Sequence, residues 1–308
     1  MGKTIKMFNN FMNKKIFSEN CNLSNYTTIK VGGVAEFFAE PKNKDEFSYL
    51  IKWANSNKQR CQIIGAGSNL LINNTLIKGL VICTKKMKSL KIDPYTGIVE
   101  AEAGVMLPTL SNSLAKNGLQ GGEWAVGIPG TLGGAIYMNA GIGNLSLAKN
   151  LISVKVINKK TNEKLEIEKK SISFEYRFSS FQRNDLEIIS AKLLFEPNGN
   201  IEKLINTTKY NLKLKTKTQP YHQPSFGSVF KNPEDTYAGK LIDELGLKGF
   251  KIGGAEISSM HSNFIINNSS ASSKDIYKLI TVIQQKVLQN KGIYLQPEVR
   301  MIGFDYPN

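Results

Sequence analysis

The residues in this chain best suited to chemistry lie in PSFGSVFKNP (Pro224 to Pro233), YRFSSF (Tyr176 to Phe181) and QPEVR (Gln296 to Arg300). Ser228 follows a glycine and is trailed by Lys231 and Asn232, so its hydroxyl is expected on a tight turn. As a nucleophile it would need a general base and a group to orient that base. The two imidazoles are His222 and His261; His222 sits in a polar, proline-flanked loop and no GxSxG surrounds the serine, so a hydrolase triad is poorly supported. A hydroxyl can instead give its proton to a strongly basic acceptor, such as the carbanion formed when hydride adds to a polarised carbon-carbon double bond. That role needs no histidine. It needs cations or acids to stabilise the developing charge, and Tyr176, Arg177, Glu298 and Arg300 offer them. Taken singly, Arg177 reads first as a surface charge and Glu298 as a strand-end ion pair.

Two glycine-rich stretches suggest what such a site would work with. In GAGSNLL, Gly65, Ala66, Gly67, Ser68, Asn69 and Leu70 follow an apolar strand. The third glycine of a GxGxxG turn would fall on Leu70, and LLINN does not continue as an amphipathic helix, which disfavours a nicotinamide Rossmann site. The physical use survives, because glycines let backbone N–H groups approach an anion while Ser68 and Asn69 add donors. The second stretch, GIPGTLGGAIYMNAG, places Gly127, Gly130, Gly133, Gly134 and Gly141 around Ile128, Pro129, Asn139 and Ala140. Each glycine costs about 0.5 to 1 kcal/mol relative to alanine in regular structure, so five in fifteen residues suggest backbone wrapped against a ligand. Together the loops are suited to clasp one pyrophosphate; packing corners are the plainer alternative.

The elements around these stretches read as α+β. KDEFSYLIKWAN puts Phe47, Leu50, Ile51 and Ala54 on one helical face, and LPTLSNSLAKNG starts at Pro108 and stops at Gly118. TYAGKLIDELG is a shorter helix, and SSKDIYKLITVIQQKVLQNKG a long one with Ser272 and Asp275 as a capping pair. RCQIIG, GLVICT, GIVEAEAG, SVKVIN, KLEIE and LEIISAKLLFE read as strands of mixed sheets. EPNGN (196–200) breaks the last of these before a Lys-rich helix begins at Ile201, which predicts a leader over 1–21, one domain over 22–197 and a second over 198–308.

The 308 residues, 41% hydrophobic, can bury a proper core. The net charge of +15 would attract polyanions, but the lysines are scattered and form no basic block interleaved with aromatics, which argues against nucleic acid. Cys21, Cys61 and Cys83 are odd in number and far from any CxxC, as expected of reduced thiols in a cytoplasmic protein. No metal-ligand spacing is present, and the basic N-terminus lacks a secretory h-region. The uncharged run Trp124 to Ala148 is long enough to span a bilayer, but Pro129, Asn139, Asn144 and six glycines make it a poor hydrocarbon helix.

In their order, GAGSNLL, GIPGTLGGAIYMNAG, YRFSSF, GSVFKNP, HSNFIIN and QPEVR resemble the UDP-N-acetylenolpyruvoylglucosamine reductase family from about Asn22 to Ile302. The resemblance implies an FAD-binding fold of the vanillyl-alcohol oxidase type, in two subdomains, followed by a smaller α+β substrate-binding domain. It implies a monomeric cytoplasmic flavoenzyme of peptidoglycan synthesis, with tightly but non-covalently bound FAD, NADPH as reductant and a nucleotide-sugar substrate. By that similarity the two glycine loops hold the FAD pyrophosphate, and Ser228 is the proton donor with Arg177 and Glu298 as the other catalytic positions. Tyr176, Lys231 and Asn232 fall where substrate is held. Phe226 and Ser262 stand where smaller residues are usual in the family. Only 51 positions separate Arg177 from Ser228, as in the shorter branch without a tyrosine-bearing lid loop. An oxidase of the same fold would keep the glycine loops but have no need of Arg177, Ser228 and Glu298 together.

Overall fold

Helices form where apolar residues recur at helical spacing and a polar side chain closes the first turn. The computed structural model describes residues 16–304. Helix α1 (Lys44–Ser56) is opened by Asn43, whose Oδ1 accepts from the N–H groups of Asp45 and Glu46, and it buries Phe47, Leu50, Ile51 and Ala54. Helix α2 (Leu107–Lys116) begins with Pro108, where a missing N–H costs nothing.

The first sheet has the order β1-β2-β5-β3, built from β1 (Phe17–Asn22), β2 (Val34–Ala39), β3 (Cys61–Ile64) and, after β4 (Leu70–Ile72), β5 (Leu76–Cys83). Strands β2, β5 and β3 are parallel and β1 joins the edge antiparallel. Residues 1–15 of the expected leader lie outside the described residues, and from Phe17 the chain is already strand. The second sheet, β11-β10-β14-β7-β6, is antiparallel throughout and contains β6 (Leu90–Ile92), β7 (Ile98–Glu102), β10 (Leu151–Asn158), β11 (Lys164–Glu168) and β14 (Leu186–Leu194). Between these strands run two small hairpins, β8 (Gly141–Ile142) with β9 (Leu145–Ser146) and β12 (Phe174–Glu175) with β13 (Phe178–Ser179).

The uncharged run from Trp124 to Ala148 is broken into a 3-10 turn (Glu123–Gly127), the short α3 (Leu132–Tyr137), the β8–β9 hairpin and the start of α4 (Leu147–Asn150). Among the described residues no helix is long and apolar enough to cross a membrane.

The Lys-rich helix α5 (Ile201–Thr218) packs on α2 and the Glu123–Gly127 turn, and Asn211 Nδ2 donates to the Glu123 carbonyl at 3.2 Å. These partners belong to the first unit, while the sequence places a second domain from 198. Beyond α5, a third sheet of order β15-β18-β17-β16 comprises β15 (Ser225–Ser228), β16 (Lys251–Ile252), β17 (Ala255–Ile257) and β18 (Phe264–Asn267). Helices α6 (Ala238–Glu244) and α7 (Ser273–Lys291) share one apolar core with it. The capping box of α7 is present, with Ser272 and Asp275 each accepting from the other's backbone, and Ile276, Ile280, Ile283 and Val287 are buried. The last strand, β19 (Arg300–Ile302), returns to the first unit and pairs parallel with β4.

Candidate active site

The two glycine loops meet. A side chain at Gly65 would strike Thr131 Oγ1, and one at Gly130 would lie 3.5 Å from Ser68 Oγ. Thr131 also caps α3, accepting from Gly134 N–H at 3.4 Å, so the middle of the second loop is helical. Gly67 has φ +67°, and a Cβ there would run into the Tyr26 carbonyl, so the position is open to glycine alone. Together the loops line a cavity of about 470 Å3 to which Gly65 through Leu70, Gly127 through Gly130, Gly133, Gly134, Ala140 and Gly141 all contribute. Among the described residues, the N–H groups of Ala66, Gly67 and Ser68 donate to no protein acceptor. Side chains at Gly130, Gly134 or Gly227 would meet nothing closer than 3.5 Å, so bare backbone faces the space. A phosphate-bearing group fits this cradle, with free donors and no side chain in the way.

Asn139 is the cofactor candidate that does not line the cavity. It is buried with φ +44°, and its Nδ2 donates at 2.8 Å to the carbonyl of Glu175, directly before the turn of the β12–β13 hairpin. Tyr176 and Arg177 form the tip of that hairpin. Arg177 has φ +56°, a left-handed conformation that costs a non-glycine residue about 1 kcal/mol or more. Gln182 holds it there, its Nε2 reaching the Arg177 carbonyl at 3.2 Å and the Tyr137 carbonyl at 2.8 Å.

That conformation sends the guanidinium into the cavity. Arg177 Nε donates to Glu298 Oε1 at 2.7 Å and Nη2 to the Gly141 carbonyl at 3.2 Å, while the Tyr176 ring lies 5.0 Å from its Cζ. Glu298 is buried. Burial pushes its carboxyl above the ordinary glutamate range, and the charges of Arg177 and Lys231 offset part of that rise.

Ser228 faces the same cavity by way of a β-bulge. Ser225 pairs with Ile266 and Ser228 with Phe264, so three steps on one strand oppose two on the other, and Gly227 absorbs the difference at φ +80°. The segment that follows is pinned by Asn263, whose Oδ1 accepts from Phe230 N–H at 3.0 Å and whose Nδ2 donates to Phe230 C=O at 2.9 Å. Val229 C=O in turn accepts from Glu298 N–H at 2.8 Å, and Asn69 Nδ2 donates to Glu298 C=O at 3.1 Å. Serine, carboxylate and glycine loop are thus fixed by one ladder.

Of the expected substrate residues, Asn232 lines a second, open cleft with Ser228, Tyr237 and His261. Asn232 Oδ1 accepts from Ala238 N–H at the start of α6, and Tyr176 Oη accepts from Asn232 N–H at 3.4 Å. Lys231 lines neither space; its backbone N–H donates to Gln296 C=O. Phe226 is buried in the core of the third sheet, and Ser262 Oγ donates to Gly239 C=O at 2.5 Å, a bond alanine could not make.

Sequence reasoning did not pick out Lys215. It reaches the cavity from the last turn of α5, packed on Gly127, and burial followed by the charge of Arg177 pushes its ammonium below the ordinary lysine value. Its place on a Lys-rich helix hid it, because nothing in the spacing separates it from the solvated lysines beside it. Arg300, noted beside Glu298 in the sequence, lines the cavity as well and donates to Gln182 Oε1 and Tyr137 Oη at 3.3 Å.

A family model of the FAD-binding domain matches residues 35–164, the stretch that supplies both glycine loops, so the cavity belongs to an FAD-dependent oxidoreductase. The model of the C-terminal domain of UDP-N-acetylenolpyruvoylglucosamine reductase matches residues 219–302, which carry Ser228 and Glu298. A UDP-N-acetylenolpyruvoylglucosamine reductase from Prochlorococcus marinus subsp. pastoris is 74% identical over 94% of this chain and 98% of its own. One from Synechococcus sp. (strain CC9605) is 45% identical over 92% and 94%. The crystal structure of the Thermus caldophilus enzyme superposes with a TM-score of 0.77 at 28% identity, covering 91% of this chain and 97% of its own. The chain belongs to the UDP-N-acetylenolpyruvoylglucosamine reductase family.

Proposed function

We propose that the protein reduces the enolpyruvyl ether of UDP-N-acetylglucosamine enolpyruvate to the lactyl ether of UDP-N-acetylmuramate, with Ser228 as the proton donor and NADPH as the source of electrons. The observation that carries this reading is the convergence of Arg177, Ser228 and Glu298 on the cavity lined by both glycine loops. Bound FAD supplies a hydride carrier between NADPH and the terminal carbon of the enolpyruvyl group. Hydride arrival breaks the carbon-carbon π bond and leaves an electron pair on the adjacent carbon, delocalised into its carboxylate.

Arg177 is suited to hold that carboxylate. Its guanidinium has five N–H donors, two of which are committed to Glu298 and Gly141, so the others are free for the substrate. Glu298 fixes the direction of the fork. Ser228 Oγ–H then transfers its proton to the anionic carbon and completes the new C–H bond, and solvent restores the hydroxyl. Asn232, in the second cleft, and Tyr176, bonded to its N–H, hold the substrate toward its nucleotide end. The free N–H groups from Ala66 to Ser68, and the backbone of the second loop, hold the FAD pyrophosphate; Asn139 acts from behind by fixing the Arg177 hairpin. On this reading the catalytic work belongs to a monomer in the cytoplasm, and the substrate domain begins near 219, after α5.

The test is Ser228→Ala, followed by absorbance. NADPH should still bleach the flavin anaerobically, while turnover with the enolpyruvyl nucleotide sugar falls by about 10² or more. Turnover within a few-fold of the unmodified enzyme would remove the serine from the mechanism.

A further inference from the structure

Helix α5 carries two stripes of different chemistry. Leu204, Thr208, Asn211 and Lys215 recur at helical spacing on its inner side, toward α2, the Glu123–Gly127 turn and the cavity. The other stripe is Lys203, Tyr210, Lys213, Leu214 and Lys217. All five are exposed, and they run along about 21 Å of helix.

The outer stripe is basic without compensation. Among the described residues Lys203, Lys213 and Lys217 form no ion pair, whereas Lys240, Lys248 and Lys291 of the second unit each meet Asp243 or Glu244. Glu202 is the only acidic residue of α5 and sits in its first turn, where the helix dipole favours it. Among the lysines the Tyr210 side chain is 60% exposed and Leu214 44%. Large apolar groups flanked by unpaired ammoniums match a surface that is anionic outside and apolar just beneath.

We propose that this face of α5 docks the protein on an anionic phospholipid surface, with Lys203, Lys213 and Lys217 at the headgroup phosphates and Tyr210 and Leu214 entering the boundary of the acyl chains. Charge complementarity selects the occupant. The chain carries +15 overall, so an anionic leaflet attracts it before contact, and the unpaired lysines set which face arrives first. Nucleic acid would also meet the lysines, but it offers no apolar layer for Leu214. The contact is peripheral: α5 lies along the surface with its inner side packed on the protein, and Lys215 keeps its place in the cavity.

The test is flotation of the purified protein with vesicles of phosphatidylcholine alone and of phosphatidylcholine mixed equally with phosphatidylglycerol. The unmodified protein should float with the anionic vesicles and not with the neutral ones, and added salt should release it. Lys203→Gln, Lys213→Gln and Lys217→Gln together should weaken the binding about a hundredfold, since each lysine near such a surface is worth about fivefold. Tyr210→Ser with Leu214→Ser removes no charge and should weaken it about tenfold. Lys42→Gln, Lys52→Gln and Lys58→Gln together, around α1, should keep it within about threefold, because these lysines lie off the docking face. Circular dichroism should be unchanged in every variant. No binding to anionic vesicles, or equal binding to both kinds, overturns the proposal. So does an equal loss in the two triple variants, because attraction would then follow net charge and no particular face. Unchanged binding in the Tyr210 and Leu214 variant overturns it as well. A random-sequence DNA duplex bound more tightly than the vesicles, and lost with Lys203, Lys213 and Lys217, would assign the face to nucleic acid and overturn the lipid reading.

Discussion

Arg177 Nε donates to Glu298 Oε1 at 2.7 Å across 121 residues of sequence, inside the cavity that the two glycine loops line. The pair joins a hairpin of the first unit to the segment that leads into β19, so the proposed site is complete only when both units are in place. Glu298 would be costly to bury alone, and the guanidinium offsets part of that cost.

The ion pair predicts a pH dependence. Burial raises the Glu298 carboxyl above its ordinary 4.5, so it takes up a proton at a higher pH than a free glutamate. The carboxylate that orients Arg177 is the form present above that raised value and is lost as pH falls through it. The acid limb of kcat/KM should therefore have an apparent pKa above 4.5, and Glu298→Gln should flatten it.

Arg177→Ala should cost several kcal/mol of transition-state stabilisation, about 10³ in kcat/KM, as for a missing oxyanion partner. Steady-state kinetics separates the alternatives. A change confined to KM would make Arg177 a binding residue with no share in the chemical step.

The contact between the glycine loops predicts the effect of Gly65→Val. The new side chain would strike Thr131 Oγ1, the cap of α3, and push the two loops apart. The ratio of flavin to protein absorbance after purification should drop severalfold while circular dichroism stays the same. A fully yellow variant would show that the cradle tolerates separation.

Asn263→Ala strips the Phe230 backbone of both hydrogen bonds from the amide, in a buried position. The expected loss is about 2 to 3 kcal/mol, read as a lower urea midpoint. The same segment carries Val229, whose carbonyl holds Glu298 N–H beside Ser228, so turnover should decline along with stability.

His261 predicts how stability changes in mild acid. It packs edge-on against Phe264 with ring centroids 4.7 Å apart, and its Nδ1 accepts from Asn263 N–H, which requires that nitrogen to be unprotonated. Burial lowers its pKa below 6.5. A lowered histidine pKa means that the unfolded chain binds the proton more readily, so stability is full above 6.5 and is lost as pH falls toward the folded value. The melting temperature of His261→Gln should decline less steeply than that of the unmodified protein over this interval.

The sequence by itself determined the helices with clear stripes, since Phe47, Leu50, Ile51 and Ala54, or Ile276, Ile280, Ile283 and Val287, can bury a face in only one way. It also supplied the types and order of the candidate site residues and the glycines of both loops. Tertiary structure alone decided that Arg177 meets Glu298, that Lys215 turns from its solvated neighbours into the cavity, and that Asn139 supports a hairpin from behind. The reason is range. Helical periodicity and caps are interactions of three or four residues, which spacing records. The Arg177 conformation, the bulge at Gly227 and the ladder from Asn263 through Val229 to Glu298 depend on segments far apart in the chain, whose meeting is fixed by packing.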